Sequence, residues 1–443
     1  MSASSASVDY TVTGAIPLCG NVVLPGDKSI SHRALMLGAI ATGMSEISGF
    51  LEGEDTIATL RAFEALGVRI EHPQPRQVTV HGVGLHGLKG AGTALYLGNS
   101  GTSVRLLAGL LAGQDFDTEL TGDASLQARP MLRVTEPLRR MGAAIRCSER
   151  GTLPINIDGG RRLTGISYRL PVASAQLKSA LLLAGLYADG PTCVSEPAVT
   201  RDHTERMLAH FGCPVQHTAD GICIESTTLR GCRVQVPADI SSAAFLMVAA
   251  CISSGSELLL QGVGVNPTRS AVIDILKAMG ADIHLENRRE SGTEPVADIR
   301  VKYSRLRGIE IPREYVSIAI DEFPILFIAA ACAEGRTIVT GAGELRVKES
   351  DRIAAMEQGL LALGVRVQAR DDGMVIDGGK LHGGTIDSCG DHRIAMAFAI
   401  AGLAADTPVV VRDCANVDTS FPGFAALLRD LGVTLAVSGV GLD

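Results

Sequence analysis

Six Ala- and Leu-rich apolar runs recur along the chain, beginning near Ser31, Ser103, Ala175, Ser242, Phe323 and Ile394. Charged, hydroxyl or amide residues stand at or just before each start. They are Asp27-Lys28-Ser29, Asn99-Ser100-Gly101-Thr102, Ser174-Ala175-Gln176, Asp239-Ile240-Ser241-Ser242, Asp321-Glu322 and Asp391-His392-Arg393. The runs are apolar nearly all round, which predicts buried helices. A helix N-terminus carries unpaired N–H groups and a partial positive charge, so such ends suit phosphate and carboxylate groups. The pattern points first to an anionic small-molecule site.

A second pattern interleaves with the first. Six times a helical stretch ends on a hydrophobic residue followed by Gly and a short strand-like stretch, at Gly67, Gly142, Gly212, Gly280, Gly364 and Gly432. Gly in that place reads as the left-handed residue that closes a helix. The glycines lie 75, 70, 68, 84 and 68 residues apart, a period that fits a folding unit of two helices and several strands rather than a solenoid turn. Upstream helices such as Thr56 to Phe63 are amphipathic. β-Branched stretches such as Gln77 to Val80 and Met374 to Asp377 read as strands. Six units of β-α-β-α-β-β, three per domain, are the simplest arrangement.

The length of 443 residues favours more than one domain, and 46% hydrophobic residues can fill large cores. A formal net charge of -8 supplies no global field for nucleic acid or an anionic membrane, so anion-binding charge must be local. Trp is absent and aromatics make up 4%, which argues against base-stacking platforms. Ten scattered cysteines without a CxxC pair read as buried reduced thiols, not as zinc ligands or disulfides. The stretch Met1 to Ser7 has neither a basic start nor an apolar core, and the apolar runs are broken too soon to span a bilayer. A cytoplasmic soluble protein is expected.

Candidate chemistry gathers at the leading edges. Around Lys28 and Arg33, two cations converge near a positive helix end, a conflict that a bound anion would remove. The segment Leu97 to Arg105 punctuates its turn with glycines that permit close backbone approach to a ligand. Arg346 to Arg352 stacks three cations with Glu349 and Asp351 between them, close enough to tune one another's ionisation. Two decoys are set aside. Gly82 to Gly87 fits a dinucleotide fingerprint but no helix follows, and Arg201 to Glu205 has metal-ligand residue types without a convergent set.

Taken together, these clusters resemble the enolpyruvyl transferases, in the branch that uses shikimate 3-phosphate. The likeness runs from about Gly14 to the C-terminus. Gly26-Asp27-Lys28, Ser174-Ala175-Gln176 with Lys178, Arg201-Asp202-His203-Thr204-Glu205 and Asn266-Pro267-Thr268-Arg269 look like the second sequence class of that branch. The resemblance implies an α/β fold of two inside-out domains, each of three βαβαββ repeats, joined by a two-strand hinge. One domain would span 23–239, on the shikimate-phosphate side, and the other 1–22 plus 240–443, with closure bringing the helix ends to one cleft.

It also implies a reaction. The enolpyruvyl group of phosphoenolpyruvate passes to the 5-hydroxyl of shikimate 3-phosphate, and phosphate leaves through a tetrahedral intermediate, on the route to chorismate and the aromatic amino acids. Such chemistry asks for two anion clamps, an acid and a base, with no metal and no cofactor. By motif position, Lys28, Ser29, Arg33, Ser174, Ala175, Gln176 and Arg201 would hold shikimate 3-phosphate, joined by Asp321 and Lys348. Lys28, Gly101, Arg129, Gln176, Arg352 and Arg393 would hold phosphoenolpyruvate. Asp321 would be the base and Glu349 the proton-shuttling acid, with Lys28 competing for that role. The expected partners are these two small molecules, with no nucleic acid or membrane and with the chain as a monomer.

Two departures from the family pattern bear on the pocket. Many relatives have Lys before Thr-Phe-Pro near the C-terminus, where this chain reads Thr419-Ser420-Phe421-Pro422. Glyphosate-tolerant relatives of the second class carry Ala in place of Gly101, so the absence of that methyl implies sensitivity, while Leu106 replaces a Pro of other relatives. The alternatives are the sister transferase acting on UDP-N-acetylglucosamine and a non-catalytic anion-binding module. Against the first stand Ser29 after Lys28 and the lack of a Cys-bearing catalytic loop. Against the second stands the retention of Asp321 and Glu349.

Overall fold

The computed structural model describes residues 8–14 and 16–439; the stretch Met1 to Ser7, read above for a targeting signal, lies outside the described residues. The chain divides into two compact units. A first unit holds Gly26–Pro237 and Glu290–Glu294, and a second holds Met1–Pro25, Ala238–Arg289 and Pro295–Asp443.

All six apolar runs are helices, and each unit is built around three of them. In the first unit they are Lys28–Ile40, Gly101–Leu111 and Ala175–Gly185; in the second, Ile240–Ile252, Phe323–Ala331 and His392–Ala401. Five begin on a side chain that accepts a backbone N–H of the first turn, from Asp27, Ser100, Ser174, Asp239 and Asp391. The sixth starts on Glu322 and uses Pro324 in its first turn, where the missing N–H costs nothing. Ile240–Ile252 buries every residue but its last, so each core is an inner bundle of helices clad by sheets and amphipathic helices. Small residues let these helices touch. A Cβ on Gly109 would fall 2.1 Å from the Ala180 carbonyl oxygen of the neighbouring helix.

The outer helices end as their sequence predicts. At Gly67, Gly142, Gly212, Gly280, Gly364 and Gly432 the backbone φ lies between +78° and +103°. At each, the glycine N–H and the next residue's N–H turn back onto carbonyls of the last helical turn, for example Gly67 to Glu64 and Val68 to Phe63, both at 3.0 Å.

Among the described residues the second unit carries three sheets and the first four, the fourth being a two-stranded parallel pair of Leu163–Thr164 and Ala188–Asp189; the four-stranded sheets share one order, a parallel pair flanked by an antiparallel hairpin. In one sheet, Leu95–Tyr96 runs parallel to Thr118–Thr121, which pairs with Ile155–Asp158, which pairs with Ala144–Arg146. The repeats are not contiguous in sequence, however. The first sheet takes its leading strand, Arg233–Gln235, from the far end of its unit, parallel to Thr42–Ser48. The last sheet is completed by Val8–Thr13, inserted between Val409–Arg412 and Thr434–Gly439. Cys19–Val23 leads the sheet of Glu257–Gly264 across a gap of more than two hundred residues. In the three-stranded sheet the leading strand shrinks to isolated bridges at Arg307 and Glu310.

One sequence reading is corrected. Cys193 and Cys223, read as reduced thiols, form a disulfide. They lie 30 residues apart, yet pair directly across antiparallel strands with Cα atoms 4.1 Å apart, a neighbourhood that spacing alone does not reveal.

The helix-ending glycines yield a paired test. A Cβ on Gly212 meets nothing within 4 Å, so Gly212→Ala is penalised only by its φ of +94°, at about 1–2 kcal/mol. Gly379→Ala, with equally open space and an ordinary φ, is the control. Thermal denaturation is expected to show a lowered midpoint for the first and little change for the second.

Candidate active site

In the first unit, short-range bonds gather three helix N-termini. Lys28 opens its helix beside the capping Asp27, and its Nζ lies 2.6 Å from Asp55 Oδ2 in the first turn of Glu54–Ala65. The ion pair neutralises part of the lysine's charge while the side chain stays partly exposed. One turn on, Arg33 is buried. Its Nε donates to Thr204 Oγ1 at 2.6 Å, Nη2 to Ser179 Oγ at 2.8 Å and Nη1 to the Ser29 carbonyl at 3.0 Å. Burial pushes this guanidinium down to about 10, against the opposing pull of Glu205, Asp27 and Glu294. Arg33 thus ties the Lys28 helix to the Ala175 helix and fixes Ser29, whose Oγ accepts from Arg201 Nη1 at 3.4 Å.

Gly101, Arg129 and Gln176 meet through a residue that the sequence reading left out. Arg105 Nη1 donates to Gln176 Oε1 at 2.8 Å and to the Gly101 carbonyl at 3.3 Å, while Gln176 Nε2 donates to Thr102 Oγ1 at 3.1 Å. Arg129 bonds Asn99 Oδ1 and reaches Ser125 Oγ at 3.4 Å. A Cβ on Gly101 would stand 2.7 Å from Arg105 Nη1 and 3.1 Å from Arg129 Nη1, so the missing side chain makes room for both guanidinium groups. Ser174 caps the Ala175 helix, its Oγ accepting from Leu177 N at 3.3 Å. Buried His32, Thr59 and Ser103 link the Lys28 and Gly101 helices by bonds of 2.9 and 2.6 Å.

The Arg201 to Glu205 motif proves to be a brace. Thr204 holds Arg33, His203 Nδ1 lies 2.7 Å from Glu294 Oε1, and Glu205 sits 2.7 Å from Lys178 Nζ. Lys178 is 1% exposed and also pairs with Glu196 at 3.2 Å, which makes it a scaffold cation.

In the second unit the organising group is Arg352, also 1% exposed. Its Nε donates to Asp391 Oδ2 at 2.8 Å, Nη2 bonds Glu349 Oε2, and Nη1 stands 3.5 Å from Asp321 Oδ1. Nη1 makes no hydrogen bond among the described residues. Burial opposes the charge on Arg352, but Asp391, Glu349 and Glu322 outweigh it and raise its pKa. Lys348 Nζ reaches the same Asp321 Oδ1 at 3.1 Å. Asp321 and Glu349 therefore share one buried guanidinium.

Arg393 differs in sign. Burial lowers its pKa, and Arg352 and Arg269 push the same way against Glu322 and Asp239. Its Nη1 donates to the Asp321 carbonyl at 2.8 Å and its Nη2 to Ser241 Oγ at 3.3 Å. An undercompensated buried cation gains from any anion that reaches it. Thr419 turns its hydroxyl to the Asn416 carbonyl at 2.6 Å and supplies no charge.

Asp55 and Arg105 are the site's unforeseen members, while Ser241, Arg269, Glu322 and Asp391, singled out in the sequence without assigned roles, prove to be supports. Arg105 had a signal, a lone cation inside an apolar run. Asp55 had none, being one acid among Glu52, Glu54 and Asp55.

The chain is similar to known proteins along nearly its whole length. The sequence profile described as EPSP synthase (3-phosphoshikimate 1-carboxyvinyltransferase) matches residues 12–428. A 3-phosphoshikimate 1-carboxyvinyltransferase of Methylococcus capsulatus is 62% identical over 420 residues, covering 95% of this chain and 96% of that protein. One from Nitrosococcus oceani is 59% identical over 433 residues, with 98% of each covered. The solved EPSP synthase of Acinetobacter baumannii superposes with a TM-score of 0.87 at 53% identity, covering 98% of this chain and 100% of that one. The chain belongs to the EPSP synthase (3-phosphoshikimate 1-carboxyvinyltransferase) family.

Proposed function

We propose that this chain transfers the carboxyvinyl group of phosphoenolpyruvate to the 5-hydroxyl of shikimate 3-phosphate, releasing phosphate. The observation that carries the proposal is the sharing of buried Arg352 by Asp321 and Glu349, with Lys348 on the same Asp321 oxygen. Two carboxylates held apart on one cation, one of them also beside an ammonium group, are suited to different proton-transfer roles.

The first unit supplies the shikimate-phosphate clamp, Lys28, Ser29, Arg33, Ser174, Ala175, Gln176 and Arg201, with Asp321 and Lys348 on the ring. Arg33 acts chiefly by fixing Ser29, given that its Nε and both terminal nitrogens already donate to protein groups. Phosphoenolpyruvate falls to Lys28, Gly101, Arg129, Gln176, Arg352 and Arg393. Glu349 delivers a proton to the methylene carbon, which becomes a methyl group and leaves the adjacent carbon cationic. The 5-hydroxyl oxygen bonds to that carbon as Asp321 takes its proton. The methyl group then returns a proton to Glu349, the carbon–oxygen bond to phosphate breaks, and the enol ether forms. Lys28 is the second candidate for the methylene proton. No metal or cofactor is needed, because the arginines and helix N-termini hold the charge of both anions.

Asp321→Asn keeps the shape of the side chain and removes the base. Phosphate release from the two substrates is expected to fall about a thousandfold with shikimate 3-phosphate binding retained; near-normal turnover would remove Asp321 from the mechanism. Gly101→Ala forces its Cβ against Arg105 and Arg129. Its KM for phosphoenolpyruvate is expected to rise about tenfold, as loss of one charged hydrogen bond would give, with that for shikimate 3-phosphate little changed. Glyphosate inhibition is expected to be competitive with phosphoenolpyruvate in the natural chain and weaker in Gly101→Ala. Indifference of the natural chain to glyphosate would refute that reading of the pocket.

A further inference from the structure

The Asn266-Pro267-Thr268-Arg269 motif takes no part in the chemistry above, yet its geometry leads to a substrate ligand. Asn266 Oδ1 accepts from Thr268 N and Thr268 Oγ1, both at 2.9 Å, and the Asn266 carbonyl accepts from Arg269 N at 2.8 Å. This turn opens the Ala271–Ala278 helix and sends Arg269 inward, to 3% exposure. There the guanidinium forks onto Glu322, Nη2 to Oε1 at 3.1 Å and Nη1 to Oε2 at 3.3 Å.

Ser241 sits at the crossing of these contacts. Its Oγ donates to Glu322 Oε1 at 2.6 Å and accepts from Arg269 Nη2 at 2.6 Å and from Arg393 Nη2 at 3.3 Å. A hydroxyl has one proton and two lone pairs, so all of its hydrogen-bonding capacity is used. Glu322 Oε1 also lies 3.5 Å from Arg393 Nη1. Two buried guanidinium groups thus compete for one carboxylate and one hydroxyl.

We infer that Arg269 is a positioning residue for phosphoenolpyruvate binding, acting through Glu322 and Ser241 on the orientation and charge of Arg393. Arg269 holds Glu322 and Ser241 by the shorter bonds and so keeps either from capturing Arg393 fully. Arg393 is left aimed by the Asp321 carbonyl and only partly neutralised, free to spend charge on an incoming carboxylate or phosphate. Without the Arg269 guanidinium, the carboxylate and hydroxyl lose their shorter contacts to a guanidinium. They draw Arg393 toward themselves, and the substrate loses a ligand in ground and transition states alike. The inference rests on the assignment of Arg393 to phosphoenolpyruvate.

The test uses the purified full chain with phosphoenolpyruvate and shikimate 3-phosphate. Arg269→Gln and Ser241→Ala are each made alone and in an Arg393→Gln background. Ser241→Ala, which deletes one oxygen, keeps the test open if Arg269→Gln fails to fold. Each single variant is expected to raise the KM for phosphoenolpyruvate about tenfold, with kcat and the KM for shikimate 3-phosphate within about twofold. Neither is expected to add to the effect of Arg393→Gln. A merely structural brace would lower thermal stability without this split between substrates. Unchanged phosphoenolpyruvate binding in the single variants, equal losses for both substrates, or losses that persist in the Arg393→Gln background would each overturn the relay. An Arg393→Gln variant with ordinary phosphoenolpyruvate binding would instead remove the assignment of Arg393 on which the relay rests.

Discussion

A guanidinium taken out of water must be matched by carboxylates, and at Arg352 that requirement fixes most of the second unit's chemistry. The desolvation cost of an isolated buried ion is several kcal/mol, so the matching groups cannot be far away. Asp391, Glu349 and Asp321 answer the demand from three separate segments. Two of the three have other employment. Asp391 caps the His392 helix through Arg393 N at 2.9 Å, and Asp321 leads the Phe323 helix and pairs with Lys348. Folding and catalytic geometry therefore rest on one set of contacts, and neither can be adjusted alone.

The first unit solves a similar problem with hydroxyls as well as charge. Arg33 satisfies its nitrogens with Thr204, Ser179 and the Ser29 carbonyl, and Lys178 beneath it takes Glu205 and Glu196. Burial still weakens the Arg33 cation, as it weakens Arg393 in the second unit. Helix N-termini add partial positive charge at the same places. In each unit, buried cations and helix N-termini therefore stand together, an arrangement that favours an anionic ligand.

Much of this was legible in the chain. The six apolar runs and their polar leading edges mark the buried helices because cap and core residues are local choices. The six glycines mark helix ends because only a residue without a Cβ adopts that conformation at low cost. Strand exchange was not legible. Nothing in Val8 to Thr13 or Arg233 to Gln235 announces that each completes a sheet begun hundreds of residues away, because pairing partners are set by the closed fold. The Cys193–Cys223 pairing escaped for the same reason. At the site, the residues that touch ligands in the proposal came from motif positions. What orients them was not legible: the contacts of Asp55, Arg105, Arg269 and Glu322 depend on tertiary neighbours and emerged only with the structure.

The proposed reaction is an addition and elimination on phosphoenolpyruvate with shikimate 3-phosphate as acceptor. The most direct measurement is the mass spectrum of the product formed in deuterium oxide from phosphoenolpyruvate and either shikimate 3-phosphate or UDP-N-acetylglucosamine. The expected result is a carboxyvinyl ether of shikimate 3-phosphate alone, with deuterium in its methylene group from the proton added and removed there. An unlabelled methylene, a product on the sugar nucleotide, or no product with the shikimate acceptor would contradict it.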